Sequence, residues 1–267
     1  MFKMEASESL SMKAKSGISG STIKMIAMVA MVIDHVAATI LERMMVQNEI
    51  GLFGSEWVGD PLSVIYLIMR LIGRLSFPVF VFLLVAGVEH THDRWKYLKR
   101  MVLFALISEI PFDFALGLSN AEIMDGKIIE FSHQNVFFTL AIGLLTIIGI
   151  QSVEATEWKK AGKVFMKSGI AIAGIALAAL LRTDYGAFGV LAIVVMYLLR
   201  KKRMKAVAVT CVVLTVFDFL EISSFLILLP IRFYNGKRGW SLKWVFYVFY
   251  PAHLFLLWLI CLAMGIG

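Results

Sequence analysis

The chain has 267 residues, of which 60% are hydrophobic and 17% charged, with a formal net charge of +7 and a mean hydropathy of +0.82. Water-soluble domains run near 45–50% apolar and about 25% charged, so this composition excludes a soluble globule, and so high an apolar content excludes disorder as well. The apolar residues come in blocks about as long as a bilayer is thick, which predicts an all-α, polytopic membrane helix bundle forming one domain over 23–267.

Residues 1–22 are polar and lack the apolar stretch of a cleaved signal peptide, so they predict a cytoplasmic tail. Apolar blocks bounded by charges then predict helices near 23–44, 62–88, 100–118, 134–151, 167–182, 185–200 and 244–264. The stretch 204–231 is apolar but interrupted by Asp218 and Glu221, and reads as one long helix or two short ones. Charge decides between them. Clusters at 3–24, 94–100, 159–167, 200–205 and 232–243 hold 21 of the 26 lysines and arginines. The segments between carry Glu49, Glu56, Asp60, Glu122, Asp125, Glu130 and Asp184 instead. The positive-inside rule puts all five clusters in the cytoplasm. Two of them flank 204–231, so that stretch must enter and return, as a broken or re-entrant pair turning near Asp218–Ser224. The expectation is about nine hydrophobic passes, N-terminus inside, in the inner or plasma membrane of the cell.

Topology accounts for the basic residues, so no nucleic-acid partner is expected, only membrane lipids. Cys211 and Cys261 sit alone in apolar runs and read as packing residues. They offer neither a disulfide framework nor a metal-ligand spacing.

Ionisable groups inside hydrocarbon cost about 2.5–3.5 kcal/mol each on insertion scales, so each one calls for a functional hypothesis. The first helix carries Lys24, Asp34 and His35. Eleven steps of about 100° make close to three turns, placing Lys24 and His35 on one stripe, with His35 roughly 16 Å deeper. That depth is near the middle of a bilayer about 30 Å thick. A cation at the cytoplasmic mouth above a midplane imidazole suits a ligand with an anionic head and a reactive end, and imidazole takes and returns protons near neutrality. Asp34 lies about 100° round the helix, so it approaches His35 through a kink or bridges to a neighbouring helix. A structural role fits the same residues: Lys24 reaching to lipid phosphates, with Asp34 and His35 making interhelical hydrogen bonds.

Arg70 and Arg74 share a helix face just before Ser76-Phe77-Pro78, and Glu109 and Asp113 share one around Pro111. They either neutralise one another or act directly; in both cases they define a polar cavity. His253, after Pro251, reads as a hydrogen-bonded packing residue that could face the same cavity. The loop Arg232-Phe233-Tyr234-Asn235-Gly236-Lys237-Arg238-Gly239-Trp240 combines an Asn-Gly turn, two basic residues and flanking aromatics. It reads either as a phosphate- and adenine-binding loop or as an ordinary basic loop with interfacial aromatics.

The segments Ile23–Met28 and Met31–His35, then Gly73–Pro78, Glu109–Asp113, Gln134–Thr139, Asp184–Gly186 and Tyr234–Gly239, together resemble the TraX family, in its order, over about residues 20 to 260. TraX proteins are known as conjugative-pilin acetylases, and that is what the resemblance implies. The Lys24–His35 spacing is also similar to the basic-residue-ten-His motif of the membrane acyltransferase-3 group, where the histidine is taken as catalytic and acetyl-CoA is the donor. Many relatives lie outside conjugation systems, so the acceptor is left open.

The preferred expectation is therefore an integral-membrane acetyltransferase using cytoplasmic acetyl-CoA and no metal. His35 serves as general base with Asp34 or Glu109 orienting it. Lys24, Lys237 and Arg238 hold the coenzyme phosphates beside Asn235, and Arg70 or Arg74 steadies the oxyanion or the cavity. The rivals are a proton-coupled secondary transporter, against which the lack of an inverted repeat speaks, and a non-catalytic membrane scaffold.

Overall fold

The structure is a computed structural model and describes residues 17–47, 60–240 and 243–266. Most of the tail 1–22, with Lys3, Lys13 and Lys15, and the loop charges Glu49 and Glu56 lie outside the described residues. The described residues form helices and isolated backbone bridges but no strand. Five stretches among them are long and apolar enough to cross a membrane: Gly20–Gln47, Pro61–His90, Val136–Glu154, Lys160–Leu180 and Trp244–Met264. The chain is a membrane protein.

Helix α1 (Gly20–Val36) starts at Ser19, whose hydroxyl accepts from the Thr22 N–H at 3.3 Å. It widens into a π-helical turn at Ala37–Leu41 and continues as α2 (Glu42–Gln47). At the turn the Thr39 hydroxyl donates to the carbonyl of His35 at 2.6 Å, and such back-bonding locally distorts the helical ladder.

The helix expected over 62–88 is two helices, α3 (Pro61–Gly73) and α4 (Ser76–His90), separated at Arg74 and Leu75. Pro78 has no N–H to give the Arg74 carbonyl, which frees the backbone there. Gly73 then lets α1 come close: a Cβ at this position would sit 2.2 Å from Asp34.

Helix α5 (Arg94–Phe112) opens at the Asp93 cap and ends in a second π-helical turn, Asp113–Gly117. Arg43 closes that end, donating to the carbonyls of Phe114 at 3.0 Å, Ala115 at 3.3 Å and Leu118 at 2.9 Å. A cation on helix-end carbonyls satisfies both their hydrogen bonding and the macrodipole. The short α6 (Asn120–Met124) has a Ser119–Glu122 capping box. The Ser119 N–H foremost, with Lys127 at 3.0 Å, holds the Glu122 carboxyl down to about 2.

Helix α7 (Val136–Glu154) is apolar all round and mostly buried, as the central element of a bundle should be. Helix α8 (Lys160–Leu180) packs beside it through small residues: a Cβ on Gly174 would lie 2.1 Å from the Thr146 hydroxyl. Its outer face leaves Phe165, Ile172 and Leu180 exposed, as a lipid-facing helix does. Helices α9 (Gly186–Leu198) and α10 (Arg203–Phe217) follow. At Asp218 the backbone becomes extended, and a 3-10 segment, Phe219–Ile227, with α11 (Leu228–Arg232), packs back against α10. The chain thus reverses where the sequence predicted a break near Asp218–Ser224. Helix α12 (Lys243–Met264) completes the bundle. Cys211 and Cys261 are free and buried, as packing residues are.

Candidate active site in the helix bundle

A cavity of about 290 Å³ runs beside α1. Along α1 and α2 its wall is formed by Met28, Met31, Asp34, His35, Ala38 and Glu42, a run of about 21 Å at helical rise. Lys24 lies one turn above Met28, its ammonium 4.1 Å from the ring centroid of Phe246, which also lines the cavity. The stripe from Lys24 to His35 is therefore present, and it borders a cavity.

The ring of His35 has an unexpected partner. Its Nδ1 is 2.7 Å from Nε2 of His253, and the two rings stack at 4.9 Å. On the far side, Nδ1 of His253 is 2.8 Å from the carbonyl oxygen of Phe249. A carbonyl only accepts, so His253 carries its proton on Nδ1 and presents a bare Nε2. His35 must then donate from Nδ1, which leaves the lone pair of its Nε2 free. His35 lines the cavity, and His253, which is not among the lining residues, stands behind it.

Asp34 does not orient His35. Its Oδ2 takes an ion pair from Arg70 at 3.0 Å, so it bridges α1 to α3, and Arg70 lines the cavity beside it. Glu109 does not reach His35 either: it is held by Asn135, whose Nδ2 lies 2.5 Å and backbone N–H 3.3 Å from Oε2. The reason is Pro111 and the π-helical turn beyond it, which end α5 against the start of α7. There Asn135 both caps α7, accepting from Phe137 at 3.0 Å, and donates to the Ala105 carbonyl at 2.8 Å. Asp113, expected on the same face as Glu109, accepts from the Glu130 N–H at 2.9 Å.

Arg74 lines the cavity with Asp218 and Glu221 behind it, both at 3.7 Å. Its Nε is buried without a hydrogen-bond acceptor among the described residues. Asn235, Lys237 and Arg238 sit elsewhere, wrapped around the start of α1. Gly20 and Ser21 donate to the carbonyls of Lys237 at 2.8 Å and Arg238 at 2.9 Å, and the Asn235 amide donates to Gly17 at 2.9 Å. These backbone bonds consume helix-start N–H groups that a phosphate would otherwise use, while the Lys237 and Arg238 side chains stay exposed on the same end as Lys24.

Sequence reasoning left Asp184 and Tyr185 out of the site, counting Asp184 as an outer-loop charge. Both line the cavity. The loop that carries them is strained, with left-handed backbone at Arg182, Tyr185 and Gly186 (φ of 51°, 61° and 45°). It is pinned by Gln134–Thr183 pairing, by Thr139 donating to the Asp184 carbonyl, and by Tyr185 stacking on Phe77 at 3.8 Å. The only sequence signal was the Asp184-Tyr185-Gly186 tripeptide itself. Among the described residues no cluster of three metal-ligating side chains occurs.

Comparison with known proteins places these features. The family model described as "TraX protein" matches residues 19–261. The chain is 27% identical over 256 residues to the "Probable fimbrial assembly protein FimC, serogroup H1" of Dichelobacter nodosus, covering 88% of this chain and 92% of that protein. No solved structure matches significantly.

Proposed function

Because the chain belongs to the TraX family, we propose that it is an integral-membrane acetyltransferase moving an acetyl group from cytoplasmic acetyl-CoA to an amine or hydroxyl of an exported or envelope acceptor. The observation that carries the reading is the hydrogen-bonded chain from the Phe249 carbonyl through His253 to His35, a residue of the cavity wall, which would free Nε2 to act as the base.

In the proposed reaction Nε2 takes the proton of the acceptor as its nitrogen or oxygen attacks the thioester carbonyl. The C–S bond then breaks, and the imidazolium returns the proton to the departing coenzyme sulfur. His253 accepts from His35 Nδ1 in both protonation states, so the ring is held in one orientation throughout. Arg70 and Arg74, both on the cavity wall, suit the oxyanion of the tetrahedral intermediate. Asp34 would set Arg70 and the α1–α3 contact, and Glu109 would support the bundle. Lys24, Lys237 and Arg238 would meet the coenzyme phosphates at the mouth. The charge distribution supports placing that mouth in the cytoplasm, with nine passes in the inner or plasma membrane.

Two results test the assignment. Lys237→Glu combined with Arg238→Glu keeps the backbone carbonyls that hold α1, yet should weaken binding of acetyl-CoA to purified protein at least about tenfold; unchanged binding removes this loop from the donor site. His253→Leu should lower acetyl transfer from labelled acetyl-CoA by about 10²-fold, as the base loses its orienting acceptor. His253→Gln, whose amide oxygen can accept from His35, should recover much of that loss. Equal activity of the Leu and Gln variants would make His253 a packing residue.

A further inference from the structure

A second cavity, of about 190 Å³, lies between α4, α9, α10 and the Tyr234–Gly236 loop, and acetyl transfer makes no use of it. Its two arginines differ in how they are partnered. Arg200 is fully engaged: Glu89 at 3.3 Å, Glu154 at 3.6 Å, the Tyr197 carbonyl at 2.9 Å, and the Tyr197 ring at 3.9 Å. That consumes Glu89, the carboxylate on the cavity wall. Arg203 donates to the Tyr234 carbonyl at 3.0 Å and lies 5.7 Å from the centroid of that ring, but pairs with no carboxylate among the described residues. A guanidinium has five donors, and four of these remain.

The rest of the wall fits a ligand with an anionic head and a less polar body. Phe82, Val85 and Met196 are apolar, and Tyr234 is fixed edge-on against Phe82 at 5.4 Å. Gly236 has φ of +78° and open space where a Cβ would be, so the rim there is bare backbone. Lys201, Lys202 and Lys237, adjoining Arg203 and Gly236 in sequence, are exposed. An arginine fork with a spare face, set in a half-buried basic site, matches tetrahedral phosphate oxygens better than any other common anion in shape and charge.

We infer that this second cavity binds a phosphate-bearing ligand, with Arg203 gripping the phosphoryl oxygens and Tyr234 lining the body of the ligand. The phosphate belongs either to an anionic lipid headgroup or to a soluble nucleotide. The inference rests on the cavity alone and stands or falls separately from acetyl transfer.

The test uses the purified full-length protein in neutral detergent, titrated by native mass spectrometry. The probes are dioleoyl-phosphatidylglycerol, dioleoyl-phosphatidylcholine and guanosine 5′-diphosphate, which is not a fragment of coenzyme A. One of the phosphate probes should bind saturably at one per chain. Arg203→Gln, which still donates to the Tyr234 carbonyl, should weaken that binding about tenfold, and Lys159→Gln in a different basic cluster should not. Tyr234→Leu should weaken it too, and serves alone if Arg203→Gln lowers the melting temperature. Phosphatidylglycerol binding without guanosine diphosphate binding identifies a headgroup site; the reverse identifies a nucleotide site. Absence of one-to-one binding by every probe, or equal binding by parent and both cavity variants, overturns the inference.

Discussion

His35→Ala should abolish transfer of label from acetyl-CoA in isolated membranes, with a rate loss of about 10²–10⁴-fold, the range general-base catalysis supplies. The variant should still accumulate in membranes at close to the parent level. The imidazole stands on a cavity wall, and its carbonyl bond from Thr39 is a backbone acceptor that alanine retains. The substitution does leave Nε2 of His253 without its donor, at a cost of about 1–3 kcal/mol. Transfer at the parent rate in His35→Ala would end the acetyltransferase mechanism proposed here. Loss of transfer together with loss of the protein from membranes would point to a structural histidine pair, and the Leu and Gln variants of His253 separate those cases.

The largest effect on stability is expected at Asn135, which is fully buried. Asn135→Ala removes the cap of α7, the amide on the Ala105 carbonyl and the amide on Glu109 together. It leaves a buried carboxyl group holding only one backbone N–H, because Glu109 Oε1 has no hydrogen-bond partner among the described residues even in the parent. Taking a side-chain hydrogen-bond partner from a buried carboxyl group costs about 1–3 kcal/mol, and a lost cap adds about 1 kcal/mol. A drop in melting temperature of roughly 10 °C in detergent is the expected reading. Glu109→Met in the Asn135→Ala background should restore part of it, because deleting both partners of a buried pair costs less than deleting one. A melting temperature within 2 °C or so of the parent would show that the Glu109–Asn135 contact carries no weight. Glu109→Met alone should leave acetyl transfer measurable, in line with a carboxyl that supports the bundle and does not touch His35.

Local pattern carried much of this architecture. Blocks of apolar residues and their flanking lysines and arginines are read by the bilayer one segment at a time, so the helices, their order and the reversal near Asp218 could be read from sequence. The Lys24–His35 stripe was legible for the same reason, since it needs only the 100° step of one helix. Helical interruptions were less so: the breaks at Arg74–Leu75 and the π-helical turns at Ala37–Leu41 and Asp113–Gly117 depend on what a neighbouring helix offers the freed backbone groups.

Partnership was decided only by the tertiary structure. His35 and His253 are 218 residues apart, Arg43 closes a helix end more than 70 residues away, and Asp184 reaches the cavity through a strained loop. Composition names the polar residues that must find partners in hydrocarbon, because an isolated charge there is too costly to leave alone. Which partner each one takes depends on how the helices cross and rotate against one another. That is set by close contacts such as Gly73 on Asp34 and Gly174 on Thr146, and it sent Asp34 to Arg70 and Glu109 to Asn135, leaving a second histidine to hold the first.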